Sequence, residues 1–300
     1  MELVVAIKNE DGTINPHYTQ TYSEWINGNR KMEIVKFLYA ENLLKILMDD
    51  LGYIQLNEKG ILGLKYFVEQ NSFKTAIRLL GNIAEAIIVN RCNNCKEVNR
   101  KWATIARKGK KKVRKLDKYL AIGTGLKTTK DRYPTKYDTT NPQRDIIWIN
   151  TEKGKEELLQ INENSVSGIS AGLQIKVSTS GINYILDDLK SQRYEVPMVY
   201  FGLNDDFDEV AHYLYKNNTQ LEIGRDFINV KAFDIDAYEE LKSYTPLIIG
   251  LINNTIKIDD LFNEKILEHP IIKSALTKVG FQSTVSENNI IMTSNQIYFS

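Results

Sequence analysis

The chain is expected to be an α/β protein, on three observations. Segments of strand length stand at 145–149 and 196–202 as apolar runs and at 173–178 as a period-two alternation, helical periodicity fills stretches around and between them, and the two kinds of segment alternate. With 300 residues and 42% hydrophobic content the chain can bury a sizeable core, as one main domain with extensions or as two smaller ones. The longest apolar runs, such as 246–252, fall far short of the roughly 20 residues that cross a bilayer, so no membrane partner is expected. Residues 1–8 carry neither a basic leader nor a long apolar stretch, which makes a cytoplasmic location the expectation.

Residues 2–8 alternate weakly and meet the turn signal Asn9-Glu-Asp-Gly12, which suits a short strand or hairpin. Between Met32 and Met48, apolar residues recur at helical spacing (Ile34, Val35, Leu38, Leu43, Leu44, Leu47) and stop before Gly52. Leu51 to Gly60, with the apolar and apparently helical stretch after it, resembles the wing and closing helix of winged-helix domains. No recognition helix precedes it, and a plain helical region explains it as well. Ser72 can cap a helix through Ala76, Leu79, Leu80, Ile83, Ala84, Ile87 and Ile88, whose apolar character is interrupted by Glu85.

After a basic stretch, Asp145-Ile-Ile-Trp-Ile149 reads as a short buried strand with Asp145 at its entrance. Leu173-Gln-Ile-Lys-Val-Ser178 alternates at period two, which puts Gln174 and Lys176 on one face. A helix over 182–192, a buried strand over 196–202, a helix over 206–215 and a strand over 227–232 follow. Residues 237–252 suit a buried helix, 258–267 and 271–279 further helices, and 281–300 a small hairpin. The expected division is 1–71, mainly helical; 72–235, the α/β core, with a basic insertion at 91–136; and 236–300, helical.

The net charge of +1 hides an asymmetry: Arg91 to Lys136 holds sixteen Lys or Arg against three acids, an excess of thirteen, and leaves −12 for the remainder. A local basic surface on an acidic protein is expected where one face meets a polyanion. It is densest at Arg107, Lys108, Lys110, Lys111, Lys112, Arg114, Lys115 and Lys118, eight cations in twelve residues suited to phosphate contacts. A solvated loop is the alternative. Cys92 and Cys95 lie on one helix face, where a disulfide would be distorted; with no second Cys pair, reduced thiols are expected rather than zinc. Gly123-Thr-Gly125 lacks the Lys-Ser/Thr of a phosphate loop, and a turn explains it.

Cleavage of a phosphodiester by water needs a divalent ion, and that ion needs hard oxygen ligands. Glu85 and Asp145 supply carboxylates, Gln174 a neutral oxygen, and Lys176 a cation that can orient the attacking water or stabilise the charged transition state. The alternatives are ordinary: Gln174 and Lys176 on the solvated face of an edge strand, Asp145 capping a turn, and Glu85 as a rim residue or salt-bridge partner.

In the order Glu85, then Asp145 opening an apolar strand, then Gln174-Ile-Lys176 on the next strand, then a helix and the strand Pro197-Met-Val-Tyr-Phe201, the chain resembles the PD-(D/E)XK nuclease superfamily. The resemblance covers about 72–232 and implies a restriction-endonuclease-like core, a mixed central sheet flanked by helices. It departs in two places: Arg144 precedes Asp145 where proline is usual, and Gln174 stands for an acid, as in the Gln-x-Lys variant of Mrr-type restriction endonucleases. The implied activity is a Mg²⁺-dependent (or Mn²⁺-dependent) endonuclease acting on DNA in restriction or phage defence, with Glu85, Asp145 and Gln174 as metal ligands. A homodimer is an assembly it allows. The rival expectations are a nucleic-acid-binding protein whose site has decayed at Gln174, and an interaction module whose basic stretch meets an acidic protein.

Overall fold

The computed structural model describes residues 4–8, 14–21, 42–56, 62–65, 71–110, 116–152, 156–162, 168–179, 181, 183–217, 220–258, 261 and 297–299. The chain forms two units, one of Asp49–Leu51 with Phe73–Tyr238 and one of Met1–Met48, Gly52–Ser72 and Glu239–Ser300.

In the unit built from the two ends, β1 (Val4–Lys8) pairs antiparallel with β2 (Ile14–Thr21), the hairpin its alternation and turn signal suggest. Of the helix expected over 32–48, residues 42–48 are helical, and the rest lies outside the described residues. β3 (Ile54–Leu56) pairs antiparallel with β4 (Leu62–Leu64). The stretch after Gly60 that read as helical is therefore strand at Leu62–Leu64, and the described part of 1–71 is richer in strand than expected.

The other unit is a mixed six-stranded sheet flanked by helices. It opens with α1 (Ser72–Asn94), whose Leu79, Leu80, Ile83, Ala84, Ile87 and Ile88 are buried as their periodicity requires, and α2 (Lys96–Ala106). Next come β5 (Tyr119–Gly123), α3 (Lys127–Arg132), β6 (Ile146–Asn150), β7 (Glu157–Leu158) and β8 (Gly172–Ser178). α4 (Asn183–Ser191), β9 (Met198–Gly202), α5 (Phe207–Lys216) and β10 (Phe227–Asn229) complete it. The order is β10-β9-β8-β6-β5, with β7 also on β6; β8, β9 and β10 run parallel, whereas β6 is antiparallel to β5, β7 and β8.

Strand residues alternate between the two faces, and each face has its own helices. Trp148 lies opposite Ala121 on the face of α1 and α2. There the Asn93 amide brackets Ala121, donating to its carbonyl at 2.9 Å and accepting from its N–H at 3.1 Å, and the Trp148 indole donates to Asn99 at 2.7 Å. On the other face Ile185 and Leu189 of α4 and Val210 and Leu214 of α5 enclose Met198, Tyr200 and Phe227. Met198 is the register partner of Gln174 and Tyr200 of Lys176, so both polar residues of β8 emerge on the α4 side.

β10 ends at Asn229, short of the strand expected over 227–232, because the Asn229 side chain accepts the Lys231 N–H at 3.0 Å and turns the chain into α6 (Val230–Phe233). α7 (Ile235–Ile252) follows. Most of 258–279 lies outside the described residues; β11 (Ile297–Phe299) pairs antiparallel with β1 rather than within a hairpin over 281–300. Among the described residues no helix is long and apolar enough to cross a membrane.

Candidate active site

Asp145 stands one residue before β6 and extends its ladder on both sides. Its N–H donates to the Leu173 carbonyl at 2.9 Å, and its carbonyl accepts from the Thr124 N–H at 2.7 Å. With the backbone fixed, the carboxylate reaches across to β8, where Oδ2 accepts from the Ile175 N–H at 2.6 Å and from Gln174 Nε2 at 2.5 Å. Gln174 is 8% exposed, and with its Nε2 turned to Asp145 its buried Oε1 has no hydrogen-bond partner. An unmatched buried acceptor costs about 1–3 kcal/mol, so this amide oxygen asks for a donor or a cation.

Glu85 arrives from α1 and is buried. A Cβ placed on Gly123 would come within 3.4 Å of its Oε2, and within 2.6 Å of the Leu126 side chain. Gly123 and Gly125, in a segment that reads as a plain turn by sequence, therefore pass close to the Glu85 carboxyl, and their lack of side chains makes the room. Burial first, and then the charge of Asp145, push the Glu85 carboxyl well above the usual range. Burial likewise pushes Asp145 up to about 6, against the opposing pull of the Ile175 N–H, the Lys176 charge and the Gln174 amide. Two carboxyls thus share a buried region in which the Lys176 charge and the hydrogen bonds to Asp145 do not offset the cost of burial.

Lys176 is 11% exposed, and its ammonium lies 2.9 Å from Asp188 Oδ2 on α4 and 5.0 Å from the centre of the Tyr194 ring. The Tyr194 hydroxyl donates to the same Asp188 oxygen at 3.1 Å. The reading of Gln174 and Lys176 as the solvated face of an edge strand does not hold, because β8 lies between β6 and β9 and both side chains are largely covered. Asp188 and Tyr194 were not legible as site residues: an acid on an amphipathic helix and a tyrosine in the following loop carry no motif, and only the fold brings them to Lys176.

No family model, curated protein or solved structure matches this chain. A functional reading therefore rests on the residues' own chemistry.

Among the described residues no three of His, Cys, Asp and Glu gather into a metal-binding group. What gathers is a pair of carboxyls, Glu85 and Asp145, with the amide of Gln174. All are hard oxygen donors, the set suited to Mg²⁺ or Mn²⁺ rather than to a thiophilic ion. The raised carboxyls and the orphaned amide oxygen both call for added positive charge, so the residues present fit a divalent cation.

The basic stretch divides. Lys111, Lys112, Arg114 and Lys115 lie outside the described residues. Arg107 is corrected from a phosphate contact to a structural residue: it is 2% exposed, and its guanidinium donates to the carbonyls of Lys110 at 2.7 Å, Gln160 at 2.9 Å and Ile161 at 3.4 Å. Lys108 lies 3.4 Å from Asp226, while Lys110 bonds Asn162 and Lys118 pairs with Glu152, contacts at the surface that a phosphate can exchange. Cys92 and Cys95 are free thiols, and burial, followed by the charge of Asp234, raises that of Cys92.

Proposed function

We propose that this chain is a metal-dependent nuclease that hydrolyses phosphodiester bonds, in DNA, on a restriction-endonuclease-like core of the PD-(D/E)XK type. The observation that supports it best is the convergence of Glu85, Asp145 and Gln174 from α1, the start of β6 and β8, residues spread over ninety positions, into one carboxyl-rich spot beside Lys176. Glu85, Asp145 and Gln174 would hold Mg²⁺ or Mn²⁺, which supplies an activated water and neutralises charge developing on the phosphate. Lys176 brings an ammonium to the reacting phosphate or orients the attacking water, once it exchanges Asp188 for that partner. Lys108, Lys110 and Lys118, with the cations at 111–115, hold the polyanion. Restriction or phage defence is the setting in which such an enzyme would serve.

The test is incubation of the protein with single- and double-stranded DNA and with RNA, in Mg²⁺, Mn²⁺ or EDTA. Metal-dependent cleavage is expected.

One observation favours a second reading, a non-catalytic nucleic-acid-binding protein on the same fold. Lys176 is engaged by Asp188, and Gln174 donates to Asp145, so two groups a catalyst would aim at substrate are turned to each other's neighbours. Metal-independent DNA binding with no cleavage in any condition would select this reading.

A further inference from the structure

Beside Lys176 lies a cleft of about 210 Å³, between the end of α4, the start of β9 and the loop before β10. We propose that it binds a single nucleobase, preferring the amino-bearing bases guanine, adenine and cytosine to uracil and thymine. The proposal deepens the nuclease reading by naming what part of a nucleic acid enters, and it rests on that reading only for its biological use.

At about 210 Å³ the cleft has room for one base. Leu189, Val196 and Met198 line it with apolar surface on which a base desolvates, and Tyr194 adds an aromatic ring that Lys176 approaches at 5.0 Å and Arg193 at 5.5 Å from its centre. Its charged lining sets two acceptors, Asp188 and Asp226, beside two donors, Lys108 and Arg225. Asp188 and Asp226 both line it, and each is ionised: burial pushes both up, but Lys176, Tyr194 and Arg193 around Asp188, and Arg225, the Glu222 N–H and Lys108 around Asp226, hold both below the usual range. Carboxylates recognise the amino and imino N–H groups of bases, which uracil and thymine offer least. Gln192 and Gln220 add amides that match either donor or acceptor.

The lining itself carries the cations a nucleotide needs for its phosphate. Lys108, from the basic stretch, reaches Asp226 at 3.4 Å, and Arg225 bonds the same residue at 2.6 Å. Asp188 belongs both to the cleft and to the ion pair with Lys176. A base that bonds Asp188 competes with that pair, so occupancy of the cleft and the placement of the Lys176 ammonium are linked through one carboxylate.

The test uses the full chain in EDTA, so cleavage plays no part, with the 5′-monophosphates of guanosine, adenosine, cytidine, uridine and thymidine as probes in calorimetry. The three amino-bearing nucleotides are expected to bind about tenfold or more tightly than the other two. Gln220→Trp, at an exposed lining position, is expected to abolish binding, and Asp226→Asn to erase the preference. A short single strand and its counterpart with one abasic nucleotide identify the source. Weaker binding of the abasic strand assigns the base to a strand; equal binding of the two strands, with mononucleotide binding retained, assigns the cleft to a free nucleotide. No binding, equal binding of all five nucleotides, or binding untouched by Gln220→Trp overturns the proposal. Cleavage assayed separately keeps the readings apart: nucleotide binding without any cleavage refutes the nuclease and spares the cleft, and cleavage without nucleotide binding does the reverse.

Discussion

Replacing Asp145 by Asn is expected to flatten the pH dependence of stability in the metal-free protein. Burial raises the Asp145 carboxyl to about 6 in the folded chain, whereas an unfolded carboxyl titrates near 3.9. The folded state therefore binds this proton more tightly than the unfolded one. Its contribution to stability is whole below about pH 4 and is lost as pH rises through about 6. A shift of about two units corresponds to about 3 kcal/mol as an upper limit, and the partial exposure of Asp145 reduces it. For a unit of this size that is a fall in Tm of roughly 5–10 °C between pH 4 and pH 7.5. Asn keeps an oxygen to accept the Ile175 N–H and removes the charge that repels Glu85, so the variant lacks this component and loses part of that from Glu85. The assay is thermal and urea unfolding in EDTA across pH 4–8 for both proteins, repeated with Mg²⁺. Wild type is expected to gain stability from Mg²⁺ above pH 6 and the variant to gain little. Identical pH slopes in EDTA would refute the claim that burial of Asp145 outweighs its hydrogen bonds and the Lys176 charge.

Arg107→Ala is expected to cost about 2–3 kcal/mol of stability by stranding three carbonyls, read as a lower urea midpoint; a neutral outcome would return Arg107 to the surface. Neutralising Lys110, Lys111, Lys112 and Arg114 together is expected to weaken nucleic-acid binding nearly uniformly across sequences. The salt slope should flatten by on the order of 0.9 log units per lost phosphate contact, and an unchanged slope would make the stretch a solvated loop. Gln174→Glu adds a charge where the amide oxygen lacks a partner and is expected to tighten Mg²⁺ binding in calorimetry, with Glu85→Gln loosening it. If neither moves, the two are not ligands.

The parts of the fold legible in the sequence are those whose burial is complete and periodic. β6 and β9 announce themselves as apolar runs, β8 as a period-two alternation, and α1, α4 and α5 as amphipathic helices, each within a few residues of its observed bounds. β5 was not legible, because Tyr119–Gly123 follows a run of cations and ends in glycine, and its strand character comes from pairing with β6. α2 hid similarly: it is strongly polar, and its buried Trp102 and Ala103 are too few to mark a period. β11 pairs with a strand at the other end of the chain, which no local pattern encodes. At the site, Asp145, Gln174 and Lys176 were readable because strand ends and period two fix where side chains point. The approach of Gly123 and Gly125 to Glu85 and the Asp188–Tyr194 hold on Lys176 were not, since both depend on contacts between distant elements. Arg107 misled because a dense basic run reads as surface throughout, although one member is turned inward to satisfy carbonyls.

The most direct test is single-turnover cleavage of DNA with Mg²⁺ or Mn²⁺ by wild type, Asp145→Ala and Lys176→Ala, with circular dichroism to verify that each is folded. Wild type is expected to cleave only with metal, and both folded variants to lose cleavage. Undiminished cleavage by either variant, or no cleavage of any nucleic acid by wild type with either ion, would contradict the assignment of Asp145 and Lys176 to a nuclease site.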